Sequence, residues 1–448
     1  MGNLGIYEIA YPNIKHPLCT ENKILKEKYI QLLKYFIKDI EDECGYEKCR
    51  YRLNLLSKIL LDKKADEIPP LLNVNLNSIC KMINKIRFTP FRVFSYRYVL
   101  LFDVLFIVGV DNKELGNKSV NKLLLMNKKY IRNSLTDFAS DMYNGEFTQL
   151  ENKLVTKEML MAWMDSRDYL STSMKKITFT ATMSAGKSTL INAVIGEDVS
   201  LSKKAACTST IMEFRSTPCN TDDYIVLDGN GNILFMSKDE VKQYTSKLNQ
   251  SSEIMGYFHS VLSKRRVSIV DTPGVNSSLN PQHKKITRNE LKTGTDILVY
   301  IIPVETYGST DDYDHLQYIK SNVSYKKILF IINMMDSCDF EDDSVDEIVN
   351  DVKEHLSEIG FINPVVCPMS AKSGLLLKRF VLNKHVNDND FRLCNLLKTK
   401  FNDENLQLGV YYPHVDSIQN VDASLSTAYI ATGLPGFEKL LIQYLKED

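Results

Sequence analysis

The segment Lys176-Ile-Thr-Phe-Thr-Ala-Thr-Met-Ser-Ala-Gly-Lys-Ser-Thr-Leu-Ile-Asn-Ala-Val-Ile195 joins a β-branched, apolar run to an amphipathic one through a turn of small residues. Lys176 to Thr182 predicts a strand, and Leu190, Ile191, Val194 and Ile195 predict a helix that Gly196 ends. A loop of this kind points backbone N–H groups at the start of a helix, where its dipole favours negative charge and a β-phosphate can be wrapped. Ser184, Ala185, Gly186, Lys187, Ser188 and Thr189 are therefore the candidate phosphate-binding residues, with Lys187 reaching the β/γ oxygens and Ser188 a Mg2+ ion. Ala181 stands where the phosphate-loop pattern begins with Gly; Ala disfavours a positive φ, so a strained or altered start to the loop is expected.

Working outward, four further segments follow at the ends of predicted strands. Val267-Ser-Ile-Val-Asp271-Thr-Pro-Gly274 places a carboxylate at a strand end, beside the Mg2+, and a glycine N–H within reach of a γ-phosphate. Ala206-Cys-Thr208-Ser-Thr210 offers Thr208 to complete the Mg2+ shell and orient a water molecule. Ile328-Leu-Phe-Ile-Ile-Asn333-Met-Met-Asp336 ends in Asn333 and Asp336; a carboxylate accepts both N1–H and N2–H of guanine, whereas adenine presents an acceptor at that edge. Pro368-Met-Ser370-Ala371-Lys372 supplies a small-residue turn whose N–H groups can meet the base oxygen. Open α/β sheets bind ligands beyond the carboxyl ends of their strands, and all five segments fall there in order.

The expected fold is α/β, a mostly parallel sheet preceded by an all-α domain. Helical periodicity runs from residue 20 to about 172, as in Leu25, Tyr29, Leu32, Leu33, Phe36, Ile37 and Ile40, with Pro69, Pro70 and Pro90 breaking it into about five to seven helices. A helical domain at 1–172 and a nucleotide domain at 173–448 follow. Strands are drawn at Lys176–Thr182, Thr210–Arg215, Val267–Asp271, Ile297–Ile302, Ile328–Asn333 and Pro364–Cys367, with a small inserted hairpin at Tyr224–Phe235 turning on Asp228-Gly-Asn-Gly231. Ser344 to Glu358 reads as a helix with a Ser344/Glu347 capping box and Gly360 as its stop, and a last helix opens at Pro435. Residues 373–430 read as an insertion over the sheet edge, with polar loops at Asn387–Asp390 and Asn402–Glu404.

At 448 residues the chain is too long for one core, and 44% hydrophobic with 25% charged residues excludes a disordered or collagen-like chain. Lys plus Arg is 55 against 56 Asp plus Glu, which leaves no global field for a polyanion, so no nucleic-acid partner is expected. Nine cysteines, with no C-x-x-C pair, read as reduced thiols of a cytoplasmic protein. The first residues lack a secretory signal and a myristoylation signal, and Val99–Val110, interrupted by Asp103, is too short to span a membrane and reads as a core helix. Trp163 reads as a packed helix face, the acidic residues from Asp339 to Asp346 as a helix start, and His283, Lys284, Lys285 and Arg288 as a solvated face.

Over about residues 157–448 these motifs make the chain resemble the P-loop GTPases, and specifically the dynamin superfamily as seen in bacterial dynamin-like proteins. Its phosphate loop is matched by Ser184 to Ser188, its switch threonine by Thr208, its second switch by Asp271-Thr-Pro-Gly274, its base-reading element by Asn333 and Asp336, and its last element by Ser370-Ala371-Lys372. The closing Gly433-Leu-Pro-Gly-Phe437 is similar to the family's final GTPase helix. The resemblance implies Mg2+-dependent hydrolysis of GTP to GDP, with Ser184, Lys187 and Thr208 as catalytic residues and dimerisation across the nucleotide face or a protein partner. Three residues depart from it: Met183 replaces a Gln that places the attacking water, so turnover is expected to be slow or partner-stimulated; Met334 replaces a Lys beside the base; and Ala181 replaces the first Gly. A fourth difference is architectural: the family's stalk and membrane tip usually follow the GTPase domain, whereas here the helical region lies in front, so membrane remodelling is not expected. The alternatives are a nucleotide-gated interaction module with little hydrolysis, or a membrane-shaping protein.

Overall fold

A computed structural model describes residues 3–12, 14–38, 40–70, 96–127, 129–147, 154–200, 210–221, 223–246, 250–275, 281–338, 344–384 and 387–446. The chain divides into two compact units, residues 1–173 with 217–222, and residues 174–216 with 223–448. The excursion Thr217–Asp222 is the one departure from the boundary that the change of periodicity suggests. Cys219 explains it: the thiol is buried with the first unit's core, within 3.5 Å of the Ser166 hydroxyl.

The first unit is helical. Among the described residues it holds α1 (Lys23–Ile37), α2 (Glu41–Cys44), α3 (Tyr46–Leu61), α4 (Arg97–Val104), α5 (Lys113–Leu125), α6 (Lys129–Asn144) and α7 (Lys157–Ser171). Their apolar faces close on one core that contains Leu33, Phe36, Leu56, Phe102, Phe106, Phe138 and Trp163. Pro90 lies outside the described residues, as does the rest of 71–95. The Val99–Val110 run is a buried helix that continues from α4 as a π-turn over Leu105–Gly109. Asp103, in its middle, is fully buried and accepts hydrogen bonds from the Tyr11 and Tyr29 hydroxyls and pairs with His16 Nε2 at 3.1 Å. Three donors meet the carboxylate that hydrocarbon would otherwise leave unsatisfied. No helix of the described residues is long and apolar enough to cross a membrane.

The second unit is a nine-stranded sheet in the order β4-β3-β5-β2-β6-β1-β7-β8-β9. The strands are β1 (Lys175–Ala181), β2 (Met212–Thr217), β3 (Asp223–Leu227), β4 (Ile233–Ser237), β5 (Ser252–Tyr257), β6 (Val267–Asp271), β7 (Thr295–Pro303), β8 (Tyr325–Asn333) and β9 (Val366–Pro368). β6, β1, β7, β8 and β9 are parallel neighbours, while β2 runs antiparallel to β6 and β3 antiparallel to β4 and β5. The Tyr224–Phe235 hairpin turns as expected on Asp228, whose carboxylate accepts from the Asn230 and Asn232 N–H groups. It precedes β6 in the chain, and β5 joins it to the main sheet, with Tyr224 lying across Gly256 where an added Cβ would meet its ring at 2.4 Å.

Helices cover the sheet: α8 (Lys187–Ile195), α9 (Lys238–Thr245), α10 (Pro281–Leu291), α11 (Thr310–Asn322), α12 (Val345–Ile359), α13 (Ala371–Val381), α14 (Asp388–Lys400), α15 (Ala423–Ala431) and α16 (Leu434–Lys446). Ser344 and Glu347 form the expected capping box and Gly360, at φ +101°, ends α12. Residues 373–430, expected as an insertion over the sheet edge with polar loops at Asn387–Asp390 and Asn402–Glu404, carry helices that pack into the core. Leu377, Phe401, Leu408, Ala428 and Tyr429 of that stretch are core residues, and Asn387 is the N-cap of α14 rather than part of a polar loop. The segment reads poorly because α15 is apolar on most sides, so its sequence shows no periodic stripe.

The register sets one edge of the sheet. Phe179 pairs with Asp271, Ala181 with Ile301, Pro303 with Asn333 and Ile332 with Pro368. The carboxyl ends of β6, β1, β7, β8 and β9 therefore line up along one edge.

Candidate functional site

The loop after β1 carries its left-handed residues at Ser184 (φ +64°) and Gly186 (φ +82°). Ala181 is the buried last residue of β1 and has no positive φ, so the strain expected at the start of the loop does not arise there. Gly186 is required on two counts, since an added Cβ would also meet Asn333 Nδ2 at 2.3 Å and Met334 Cε at 3.3 Å. α8 begins immediately after it, at Lys187.

The Lys187 ammonium, almost fully buried, pairs with Oδ1 of Asp271, which has no exposed surface. Ser188 Oγ donates to the other oxygen, Oδ2, at 3.1 Å. Ser200 Oγ donates to the same Oδ2 at 2.7 Å. The Asp271-Thr272-Pro273-Gly274-Val275 turn is held against the loop: Thr272 Oγ1 donates to the Phe179 carbonyl, Val275 N–H to the Ala181 carbonyl, and Thr287 Oγ1 to the Pro273 carbonyl. Met183 lies over Gly274, where an added Cβ would meet its Cα and Cγ at 3.3 Å.

Asn333 ties the loop to the base-reading elements. Its Nδ2 donates to the Ala185 carbonyl and its Oδ1 accepts from the Ala371 N–H, each at 3.0 Å. Asp336 is oriented from three sides: its N–H donates to Ser370 Oγ at 3.0 Å, its Oδ2 accepts from Ser373 Oγ at 2.7 Å, and its carbonyl accepts from Lys400 Nζ at 2.6 Å. Met334 takes a left-handed φ of +69°, and its methyl end reaches the glycine of the phosphate loop.

The structure thus gathers Ser184 to Thr189, Asp271, Gly274, Asn333, Asp336, Ser370 and Ala371 at one sheet edge, with Lys372 exposed on the first turn of α13. Thr208 lies outside the described residues, as do Asp339, Glu341, Asp342 and Asp343. Sequence reasoning missed Ser200, Ser373 and Lys400. Ser373 was within reach of it, three residues beyond Ser370 at the start of a helix and so on the same face. Ser200 carries no such mark. Of the residues read as a solvated face, His283 is buried and Arg288 stacks over Tyr318 of α11 at 4.1 Å, so that face of α10 is not wholly solvated.

Whether the donors suit a divalent cation follows from their chemistry. Asp271 and Ser188 offer one carboxylate and one hydroxyl, both hard oxygen groups, with the Ser200 hydroxyl donating to the carboxylate. No group of three or more His, Cys, Asp and Glu residues is placed for a metal among the described residues. One carboxylate and hydroxyls, with phosphate oxygens and water for the rest, is the donor set of Mg2+ rather than of Zn2+ or a caged Ca2+.

Residues 177–335 match the model of the dynamin family. The match takes in about a third of the chain. The matched stretch includes the whole phosphate loop and Asp271 to Gly274, and it stops at Met335, one residue before Asp336. Among curated proteins the chain is similar to the bifunctional enzyme NodQ of Rhizobium meliloti, 27% identical over 121 residues, which is 27% of this chain and 18% of that protein. It is also similar to sulfate adenylyltransferase subunit 1 of Bacteroides thetaiotaomicron, 26% identical over 122 residues, 27% of this chain and 23% of that one. The chain therefore spans less than a quarter of the length of these relatives. Among solved structures, a GDP·AlF4−-bound Era variant of Aquifex aeolicus aligns over 47% of this chain and 55% of its own at 17% identity, with a TM-score of 0.27.

Proposed function

We propose that the dynamin-family domain binds GTP with Mg2+ at the carboxyl edge of its sheet and hydrolyses it to GDP and phosphate. The observation that carries this is the bridge through Asn333, which joins the phosphate loop at Ala185 to the base-reading turn at Ala371, so phosphate and base elements form one cleft. Nucleotide binding exchanges the Lys187–Asp271 ion pair for an ammonium on the β/γ oxygens. Ser184, Ala185, Gly186 and Thr189 surround the phosphates with N–H and hydroxyl donors, and Gly274 faces the γ-phosphate. Ser188 and Thr208 hold Mg2+, which when bound neutralises charge on the phosphate oxygens. Water adds to the γ-phosphorus as the bond to the β–γ bridging oxygen breaks, with Lys187 meeting the charge that develops there.

Asp336 reads guanine through N1–H and N2–H, with Ser373 holding one carboxylate oxygen and Ser370, Ala371 and Lys372 framing the base. Met183 cannot donate a hydrogen bond to a water beside Gly274, so turnover is slow and rises when a second copy of the domain or a protein partner completes the site. That same thioether favours a second reading, a nucleotide-gated interaction module in which turnover is negligible. The protein acts in the cytoplasm of a bacterium, where its cysteines stay reduced.

Multiple-turnover phosphate release from GTP tests the two readings. The wild-type rate is expected above that of Lys187→Ala, which loses nucleotide affinity about 30-fold or more, and Met183→Gln is expected to raise it. A wild-type rate no higher than that of Lys187→Ala leaves only the interaction module. In competition binding GTP is expected to displace ATP, and Asp336→Asn to weaken GTP by about tenfold or more through loss of charge-assisted bonds.

A further inference from the structure

Ser200 follows the phosphate helix by five residues and lies where the chain leaves that helix for the segment that contains Thr208. It is buried, and both of its backbone polar groups are held by one side chain. Asn192 Oδ1, on the last turns of α8, accepts from the Val199 N–H at 3.1 Å and from the Ser200 N–H at 2.7 Å. Asn192 Nδ2 donates to the Ser200 carbonyl at 2.7 Å. The clamp fixes the position of the Ser200 hydroxyl, which then donates to Asp271 Oδ2 at 2.7 Å. Ser188 Oγ reaches that oxygen too, at 3.1 Å, while Lys187 takes Oδ1.

We infer that Ser200 is a positioning residue for the divalent cation. Its hydroxyl fixes the Asp271 carboxylate beside Ser188, the residue that would hold the cation, and through Asn192 it ties the carboxylate's orientation to the point where the chain leaves α8. The inference rests on the proposed Mg2+-dependent nucleotide site and names one more residue of it. A buried hydroxyl on a carboxylate that faces a metal acts by orienting the ligand, and losing such a partner weakens metal affinity 10- to 100-fold in sites of known composition. A hydroxyl that merely packed the loop would alter stability and leave the metal requirement where it was.

The test uses the full chain loaded with GDP carrying a fluorescent ribose label, and reads label dissociation as MgCl2 is titrated. Ser200→Ala is expected to raise the Mg2+ concentration for half-maximal retention by about tenfold or more, with labelled-GDP affinity in EDTA within about twofold of wild type. Ser200→Thr, which keeps the hydroxyl, is expected to restore the wild-type titration. Ser200→Cys serves where the alanine variant does not fold, since it keeps the volume and is a weak donor, and its titration is expected to match that of Ser200→Ala. A Ser200→Ala titration superimposed on the wild-type curve, or an affinity loss equal with and without Mg2+, overturns the inference. A wild-type chain that ignores Mg2+ or fails to bind GDP overturns the proposed function instead.

Discussion

Behind the phosphate loop, at the scale of single side chains, lies a buried polar group that the sequence does not mark. Thr180, one residue before the end of β1, meets His315 Nε2 of α11 at 2.9 Å, and the His315 ring tilts against Tyr300, whose hydroxyl donates to Asp312 at 2.5 Å. Burial, with the Arg288 and Lys284 cations second, pushes the His315 imidazole from its ordinary 6.5 down to about 3. The neutral ring is therefore the folded form. Because the folded value is the lower one, His315 contributes stability that is whole above about pH 6.5 and is lost as pH falls toward 3. At pH 5 that loss is about 2 kcal/mol. Urea midpoints measured from pH 7.5 to 5 are expected to fall less steeply for His315→Gln than for wild type. Parallel slopes would show that the ring titrates in the fold.

Between elements, the phosphate helix is fastened at its far end by a lysine that no motif contains. Lys378 of α13 is buried; its ammonium donates to the Ala193 carbonyl at 2.8 Å, the Val194 carbonyl at 3.1 Å and Glu438 Oε1 of α16 at 2.5 Å. It satisfies the open carbonyls at the end of α8 and joins that helix to the last one. Burial pushes the lysine down and the glutamate up, so each depends on the other to stay charged. Lys378→Met is expected to cost about 3–5 kcal/mol in urea unfolding, since it strands a buried carboxylate, and Lys378→Met with Glu438→Leu to recover much of that. A double variant no more stable than the single one would assign the loss to the α8 carbonyls instead. The parallel strands and the α12 helix were legible because their apolar runs and caps are local signals, as in Val267–Asp271 and Ser344/Glu347. β5, α13 and the cross-sheet bonds of Ser200, Lys378 and Lys400 were not, because each is decided by a partner 30 to 200 residues away. The spacing of phosphate and base motifs survived in the sequence because each sits at its own strand end.

At the scale of the whole molecule, two hydrophobic cores share one chain. Ile177, Val299 and Leu377 belong to one, Phe36, Phe106 and Trp163 to the other, and nucleotide is expected to bind only the first. Trp163, the one tryptophan in the sequence, has no exposed surface and donates its Nε1–H to the Met142 carbonyl at 2.8 Å, so its emission reports the helical unit. A ligand that binds one folded unit stabilises it by about 2.7 kcal/mol at 100 times its dissociation constant. Calorimetry of the full chain is accordingly expected to show two transitions, of which GDP with Mg2+ moves one upward. The tryptophan transition is expected to follow the stationary one. Both transitions moving together would show that the two units unfold as one and would overturn this expectation. Lys187→Ala separates a ligand effect from that coupling, because it is expected to abolish the nucleotide shift while leaving the tryptophan transition in place.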